Sequence, residues 1–347
     1  MTSLAARRKI GIPKLTALET KPPNKEVEPK PLVPKTEQGN SKHHQFEFQD
    51  FEIGPSLGSG ASSTVYKAIH IPTGKVYAVK KIAFHNQPKE LTQQVVSETY
   101  ALRVLSHENI VTLNTVIYHK GFVYIVMPLI DGGSLFDMLR FSPIVPEAAL
   151  GRIAWQCLQG LLYIRKNKFL HRDFKPGNIL ITKSGEVKIA DFGMARQLNQ
   201  SIDQAQSFLG TICYMSPERL NEKKYNFQSD LWSFGIILYQ CALGRFPISF
   251  GDSKSPNYWD LIGKLTTDID VKLPPQYSPG LTDLIASCLR IDPAKRVPVE
   301  RLVEHPWVVQ FRDKSANGPL LQWIAQCERI RKEQESAMSR ELMGAPK

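Results

Sequence analysis

The stretch from His171 to Gly193 constrains this chain more than any other. It reads His171-Arg172-Asp173-Phe174-Lys175-Pro176-Gly177-Asn178, then an apolar run to Ala190, then Asp191-Phe192-Gly193. Ile179-Leu180-Ile181 and Val187-Lys188-Ile189 predict two short strands, so two carboxylates and one amide sit on the loops that these strands join. Phosphoryl transfer asks a protein for positioning and charge neutralisation more than for covalent chemistry. Asp191 suits a magnesium ion bridging the β- and γ-phosphates, and Asn178 suits a second. Asp173 can accept the proton of an attacking hydroxyl, and Lys175, two residues on, can reach the transferred phosphoryl group. Either acidic triplet alone is a weak signal; both in this order, with Asn178 five residues after Asp173, are specific.

Upstream lies a matching phosphate loop. Phe51 to Leu57 leads into Gly58-Ser59-Gly60-Ala61-Ser62-Ser63-Thr64-Val65. Strands are predicted on both sides, since Val65-Tyr66-Lys67-Ala68-Ile69 alternates. Gly58 and Gly60 let the backbone approach phosphates and aim N–H groups at them. A dinucleotide fold would place a helix next, where this chain has a strand. The usual third glycine is Ser63. Val76 to Ile82 predicts a third strand, in which Ala78 and Lys80 face one way and Lys81 the other. Lys80 is thus the candidate for the α- and β-phosphates, and Lys81 reads as solvated. After Pro88 a helical stripe of Leu91, Val95, Leu102 and Leu105 carries Glu98. A carboxylate on an apolar face is costly unless paired, and pairing with Lys80 resolves both residues.

A chain of 347 residues can bury a sizeable core and suits one two-lobed domain with tails. Its five cysteines, Cys157, Cys213, Cys241, Cys288 and Cys327, form no CxxC pair, which excludes a zinc ribbon or disulfide framework and points to a reducing compartment. No apolar stretch has the length of a signal peptide core or a membrane span, and Thr2 excludes N-myristoylation. A cytoplasmic protein is expected, with the nucleus as a second compartment and no membrane partner. The net charge is +11; residues 1–45 hold nine Lys or Arg and four Glu, a net +5. No zinc finger, RNP-like motif or basic helix focuses this charge, so nucleic acid is not an expected partner.

Residues 1–45 are rich in Pro, Lys and Glu without a periodic apolar face, and read as a disordered tail. Within it, Arg7-Arg8-Lys9 precedes Ile10-Gly11-Ile12. Such a segment can bind an acidic patch and an adjacent apolar groove. The folded domain is expected over 46–310, with a small lobe 46–127, a hinge 128–133 and a large lobe 134–310, followed by a helical tail 311–347. Phe122 to Met127 reads as a strand entering the hinge. Residues 147–168 read as a long helix with Ile153, Cys157, Leu161 and Ile164 inward, and 320–338 as one more helix. Trp155 and Trp232 read as core. Between Asp191 and Thr211 lies a polar segment with Ser201 and Ser207.

From Phe51 to about Trp307 the sequence resembles a eukaryotic protein kinase. The resemblance implies an α+β fold, with a small antiparallel β-rich lobe carrying one regulatory helix and a large, mainly helical lobe. It also implies ATP and Mg2+ as cofactors. By position it makes Met127 the gatekeeper, the Pro128 carbonyl an adenine acceptor and the Ile130 N–H a donor, with Val65, Ala78 and Leu180 around the base. It pairs Glu218 with Arg296 and sets Asp230 against the catalytic-loop backbone. Within that family the chain is similar to mitogen-activated protein kinase kinases, through Asp131-Gly132-Gly133-Ser134-Leu135 and Gly210-Thr211 with Tyr214-Met215-Ser216-Pro217-Glu218-Arg219-Leu220. The tail segment matches that family's docking motif. The resemblance implies phosphorylation of Thr and Tyr in a MAP kinase activation loop, with Ser201 and Ser207 as the activating phosphosites. It further implies an upstream MAP kinase kinase kinase and a scaffold protein as partners. Ala190 stands where many animal members carry Cys, and the spacing of Ser201 and Ser207 looks like plant or protist members. Two other readings stay open: an upstream Ser/Thr kinase of the same cascade, and a non-catalytic scaffold of the same fold.

Overall fold

The computed structural model describes residues 46–60, 63–84, 95, 99–191, 212–221, 225–248, 263 and 269–344. Glu98, Ala61, Ser62, Ser201, Ser207 and the tail residues Arg7, Arg8, Lys9, Ile10 and Ile12 therefore lie outside the described residues. Phe46–Lys347 forms one compact unit.

The small lobe is a five-stranded antiparallel sheet of order β1-β2-β3-β5-β4, from β1 (Phe51–Ser59), β2 (Ser63–His70), β3 (Lys75–Ala83), β4 (Thr115–His119) and β5 (Phe122–Pro128). Alternation divides its side chains between two faces. Tyr77, Val79, Tyr124 and Val126 join Phe51 and Ala68 in a small core on the outer face, covered by Phe46 and Phe48. The inner face carries Val65, Ala78, Lys80, Ile125 and Met127, because Val65 pairs with Lys80, Lys80 with Ile125 and Ala78 with Met127. One departure from the sequence reading concerns Lys81. It is half-buried, with its ammonium 4.1 Å from the centroid of the Phe122 ring. The β3–β5 register brings that ring diagonally beside it, where cation and ring face attract.

The large lobe is helical: α1 (Leu135–Phe141), α2 (Glu147–Lys166), α3 (Pro217–Leu220), α4 (Phe227–Leu243), α5 (Pro279–Cys288), α6 (Val299–Leu302), α7 (Pro306–Val309) and α8 (Gly318–Gly344). A two-stranded hairpin, β6 (Ile179–Ile181) and β7 (Val187–Ile189), lies against α2. Ile153, Cys157, Leu161 and Ile164 of α2 and Trp232 of α4 are buried in the main core, and Trp155 packs against its edge. Buried Val95, Leu102 and Leu105 belong to the same core. The last helix runs longer than the sequence suggests. Its start is fixed by buried Leu320, Trp323, Ile324 and Cys327, with Trp323 Nε1 donating to Ser142 Oγ at 3.0 Å. This is an antiparallel sheet lobe joined to a helical lobe, the α+β architecture expected.

Two glycines shape the join. Gly133 has φ +91°, and a Cβ on Gly132 would sit 2.2 Å from the Ile181 carbonyl oxygen. No side chain fits there, so the hinge exit packs directly on β6.

Deep in the large lobe, Arg296 donates to both Glu218 oxygens, at 2.8 and 2.7 Å, and to the carbonyls of Gln228, Arg290 and Ile291. Burial pushes the Glu218 carboxyl up, but hydrogen bonds from Arg296 and Ser229 outweigh it and hold the group below its ordinary value. Replacing Arg296 with Met strands a buried carboxylate and should destabilise the protein by about 3–5 kcal/mol at neutral pH. A lowered carboxyl pKa means that the pair's stabilisation is present above the ordinary value and lost as pH falls through the folded one. Denaturant unfolding of parent and variant should therefore converge in acid.

Candidate active site

The site forms where the β6–β7 hairpin brings residues distant in sequence onto two adjacent loops. Asp173 and Asn178 precede β6, Asn178 immediately, and Asp191 follows β7 by two residues. The loops are tied together by main-chain bonds: Ala190 N donates to Asn178 O at 2.9 Å, and Ile189 N to Asn109 O at 2.8 Å. Asn178 Nδ2 donates to the Asp173 carbonyl at 2.8 Å and to Asp173 Oδ2 at 3.1 Å. Its amide nitrogen is thereby committed, which leaves its side-chain oxygen as the atom able to face a cation. Lys175 Nζ lies 2.8 Å from Asp173 Oδ2.

Lys80 reaches this cluster from the inner face of β3. Its ammonium is bonded to Asp191 Oδ1. Burial pushes the Asp191 carboxyl up, and the charge and hydrogen bond of Lys80, helped by Lys175 and His171, hold it below the usual carboxylate range. It is thus ionised at neutral pH, the state a divalent cation requires. The residue has φ +56°, a left-handed conformation that aspartate adopts more readily than most side chains.

The loop from His171 to Asn178 hangs from one carboxylate. Asp230, fully buried on α4, accepts from His171 N at 3.0 Å through Oδ2 and from Arg172 N at 3.1 Å through Oδ1. The Tyr225 hydroxyl also donates to Oδ1. Burial pushes the Asp230 carboxyl up, while His171, Tyr225 and the two amides oppose it. These bonds hold Arg172 at φ +69°. His171 is buried between the loops. Its Nδ1 faces the Asp173 N–H at 3.3 Å and its Nε2 faces the Ala190 carbonyl at 3.0 Å. An amide can only donate, so Nδ1 accepts and the ring proton sits on Nε2.

Of the residues expected around a nucleotide, Val65, Ala78, Lys80 and Met127 share the inner face of the sheet. Pro128 ends β5 opposite Tyr77, with Ile130 two residues on, and Leu180 lies in β6 bridged to Ser134. Leu57, Gly58 and Ser59 end β1, and Ser63 and Thr64 begin β2. A Cβ at Gly58 would meet nothing within 4 Å, and one at Gly60 only ordinary contacts with Ser63. Packing among the described residues therefore does not demand glycine there, whereas close approach of a phosphate group would. Lys80, Asp173, Lys175, Asn178 and Asp191 come together; Glu98 is outside the described residues.

Sequence reasoning missed several residues that set this geometry. Gln156 of α2 is buried, accepts from Val187 N at 2.9 Å and Asn109 Nδ2 at 3.3 Å, and donates to Gly185 O at 3.0 Å. It clamps the hairpin turn. Its signal was available: a polar residue three after Ile153 on a buried stripe, the same anomaly that singled out Glu98. Arg219 and Tyr225 carried no comparable pattern.

The protein kinase domain profile matches residues 51–308. Mitogen-activated protein kinase kinase 1 of Arabidopsis thaliana is 35% identical over 281 residues, 79% of this chain and 78% of the relative. Mitogen-activated protein kinase kinase 1c of Physcomitrium patens is 35% identical over 295 residues, 83% of this chain and 85% of the relative. Dual specificity mitogen-activated protein kinase kinase dSOR1 of Drosophila melanogaster is 35% identical over 283 residues, 75% of this chain and 71% of the relative. Similarity of this extent, running through both lobes and the catalytic loop, places the chain in the mitogen-activated protein kinase kinase family of protein kinases.

Proposed function

We propose that this kinase transfers the γ-phosphoryl group of ATP to Thr and Tyr hydroxyls in the activation loop of a MAP kinase. The observation that carries the reading is the convergence of Asp173, Lys175, Asn178, Asp191 and Lys80 on one cleft in a chain of this family. The relative dSOR1 of Drosophila melanogaster is named as a dual specificity kinase. Kinase membership implies ATP and a divalent metal in general, and Mg2+ is the ion that the oxygen-donor pair of Asn178 and Asp191 suits.

Each residue then has a task. Lys80 holds the α- and β-phosphates, the Gly58–Gly60 backbone covers them, and the Pro128 carbonyl and Ile130 N–H face adenine. Ala78, Val65 and Leu180 enclose the base. Bound metal supplies neutralisation of phosphate charge and fixes the phosphate orientation. Asp173 takes the hydroxyl proton of the substrate, and Lys175 balances charge at the transferred group. Lys175 beside the base fits Ser/Thr-type chemistry.

Regulation follows the same chemistry. Phosphate on Ser201 and Ser207 would add about −1.5 to −2 charges per site, able to recruit Arg172 and Arg196. Arg172 is exposed beside the base. An upstream MAP kinase kinase kinase would act there, a scaffold protein could hold the three kinases together, and the cytoplasm, with the nucleus, is the proposed location.

Incubation of the purified chain with candidate MAP kinases, followed by mass spectrometry of their activation loops, tests the reading. Asp173→Ala is the control, and should lower transfer about a thousandfold while the protein stays folded. Phosphorylation of generic Ser/Thr proteins, with no phosphotyrosine on any MAP kinase, would favour the upstream-kinase alternative instead.

Docking generates a second prediction. Replacing Arg7, Arg8 and Lys9 with Glu should raise KM for a MAP kinase and leave turnover of a short peptide unchanged. The effect should shrink as salt rises, because exposed charges are screened. Unchanged kinetics after deletion of residues 1–20 would reduce the segment to a solvated tail. The activating role of Ser201 and Ser207 predicts that the double Ser→Ala protein stays inactive after treatment with the upstream kinase, and that Ser→Asp recovers part of the activity. Activation equal to that of the parent would refute the switch.

A further inference from the structure

We propose that Arg219 is a positioning residue for Asp173, through which the end of the Ile212–Leu220 segment, read as the substrate platform, sets the aim of the catalytic base. The inference rests on the reading of Asp173 as that base. Arg219 lies in α3, three residues after Ser216 in the segment that follows the phosphosites. Its Nη1 donates to the carbonyl oxygen of Arg172. Its guanidinium carbon lies 5.3 Å from the centroid of the Tyr225 ring. The Tyr225 hydroxyl in turn donates to Asp230 Oδ1, which accepts from Arg172 N. Arg219, Arg172, Asp230 and Tyr225 thus form a closed circuit.

Arg172 is the strained point of that circuit. A non-glycine residue at φ +69° persists only where its surroundings determine it. Here Asp230 holds its N–H and Arg219 holds its carbonyl. The peptide plane between Arg172 and Asp173 is therefore gripped at both edges, by Arg219 at the oxygen and by His171 Nδ1 at the nitrogen. Release of the oxygen lets this plane turn, and the Asp173 side chain turns with it. Adjacent residues of α3 face opposite tasks: Glu218 is bound to the core by Arg296, while Arg219 reaches the catalytic loop. A movement of the platform cannot reach Arg296 without also being felt at Arg172. The Tyr225 ring lies within cation–π distance of the guanidinium and helps to keep it beside the Arg172 carbonyl.

The test compares parent, Arg219→Met and Arg219→Lys as full-length protein, with a catalytically inactive MAP kinase as substrate. Arg219→Met keeps the apolar stem over Tyr225 and removes the donor. It should lower kcat about tenfold or more, with KM for ATP and the melting temperature unchanged. Arg219→Lys should recover part of kcat, since an ammonium can donate to the same carbonyl. Hydrogen exchange of the peptide covering 169–175 should be faster in Arg219→Met and partly restored in Arg219→Lys. Unchanged kcat in Arg219→Met overturns the proposal, and so does a loss that Lys does not rescue and that exchange does not mirror. A parent without phosphotransfer would sink the kinase reading itself. The exchange data would then decide alone, with an unchanged rate in Arg219→Met counting against the circuit.

Discussion

A single buried carboxylate holds the working end of this molecule in place. Asp230 sits in the first turn of α4 with no exposed surface, where an unsatisfied charge would be costly. It is satisfied by two main-chain amides of the catalytic loop and one phenol. The dependence runs both ways. The loop needs the carboxylate to keep Arg172 in a left-handed conformation, and the carboxylate needs the loop to remain buried. Trp232, Phe234 and Ile237 pack the same helix into the core, so α4 cannot shift to accommodate a different loop. Main-core packing is thereby converted into a fixed position for Asp173.

The small lobe reaches the same precision by register. A slip of one residue in β3 would send Lys80 to the outer face and bring Lys81 inward. Two features resist the slip. A slip would also turn Tyr77 and Val79 out of the outer-face core, where Tyr77 packs against Phe46 and Phe51. Lys81 in turn rests against Phe122. Lys80 is 4% exposed, and its charge is balanced across the lobes by Asp191. The ion pair is one link between the lobes; the bond from Val111 N to Ile189 O, at 2.9 Å, is another.

What could be read from the sequence was whatever is local or periodic. Strands β6 and β7 fall on the predicted residues because each is a triplet that begins and ends on a β-branched apolar residue and is flanked by loops. The facing of Lys80 follows from period two. Glu218 with Arg296 is 78 residues apart and was found by resemblance, since no spacing rule connects such positions. Arg219 and Tyr225 escaped because their meaning lies in a carbonyl and a carboxylate brought beside them by tertiary folding. Gly132 read as part of a family signature, but its physical reason, the nearness of the Ile181 carbonyl, needed coordinates. Lys81 was misread because alternation says which face a residue takes and nothing of the ring that waits there.

The charges of the cleft are arranged in exchangeable pairs. Lys175 is matched with Asp173 and Lys80 with Asp191. On the proposed reading, a nucleotide and its cation bring both signs into the cleft. Each lysine can then trade a carboxylate for phosphate oxygens, and Asp191 can trade an ammonium for the metal. No step in that exchange leaves a buried charge alone, which would be the costly state. Asp173 differs from Asp191 in one respect. Asn178 Nδ2 already donates to its Oδ2, so one oxygen stays occupied when Lys175 turns toward phosphate. Its other oxygen is the one left to meet a hydroxyl. The amide that would serve the metal therefore also selects which oxygen of the base faces the substrate, and a change at Asn178 should be felt at both.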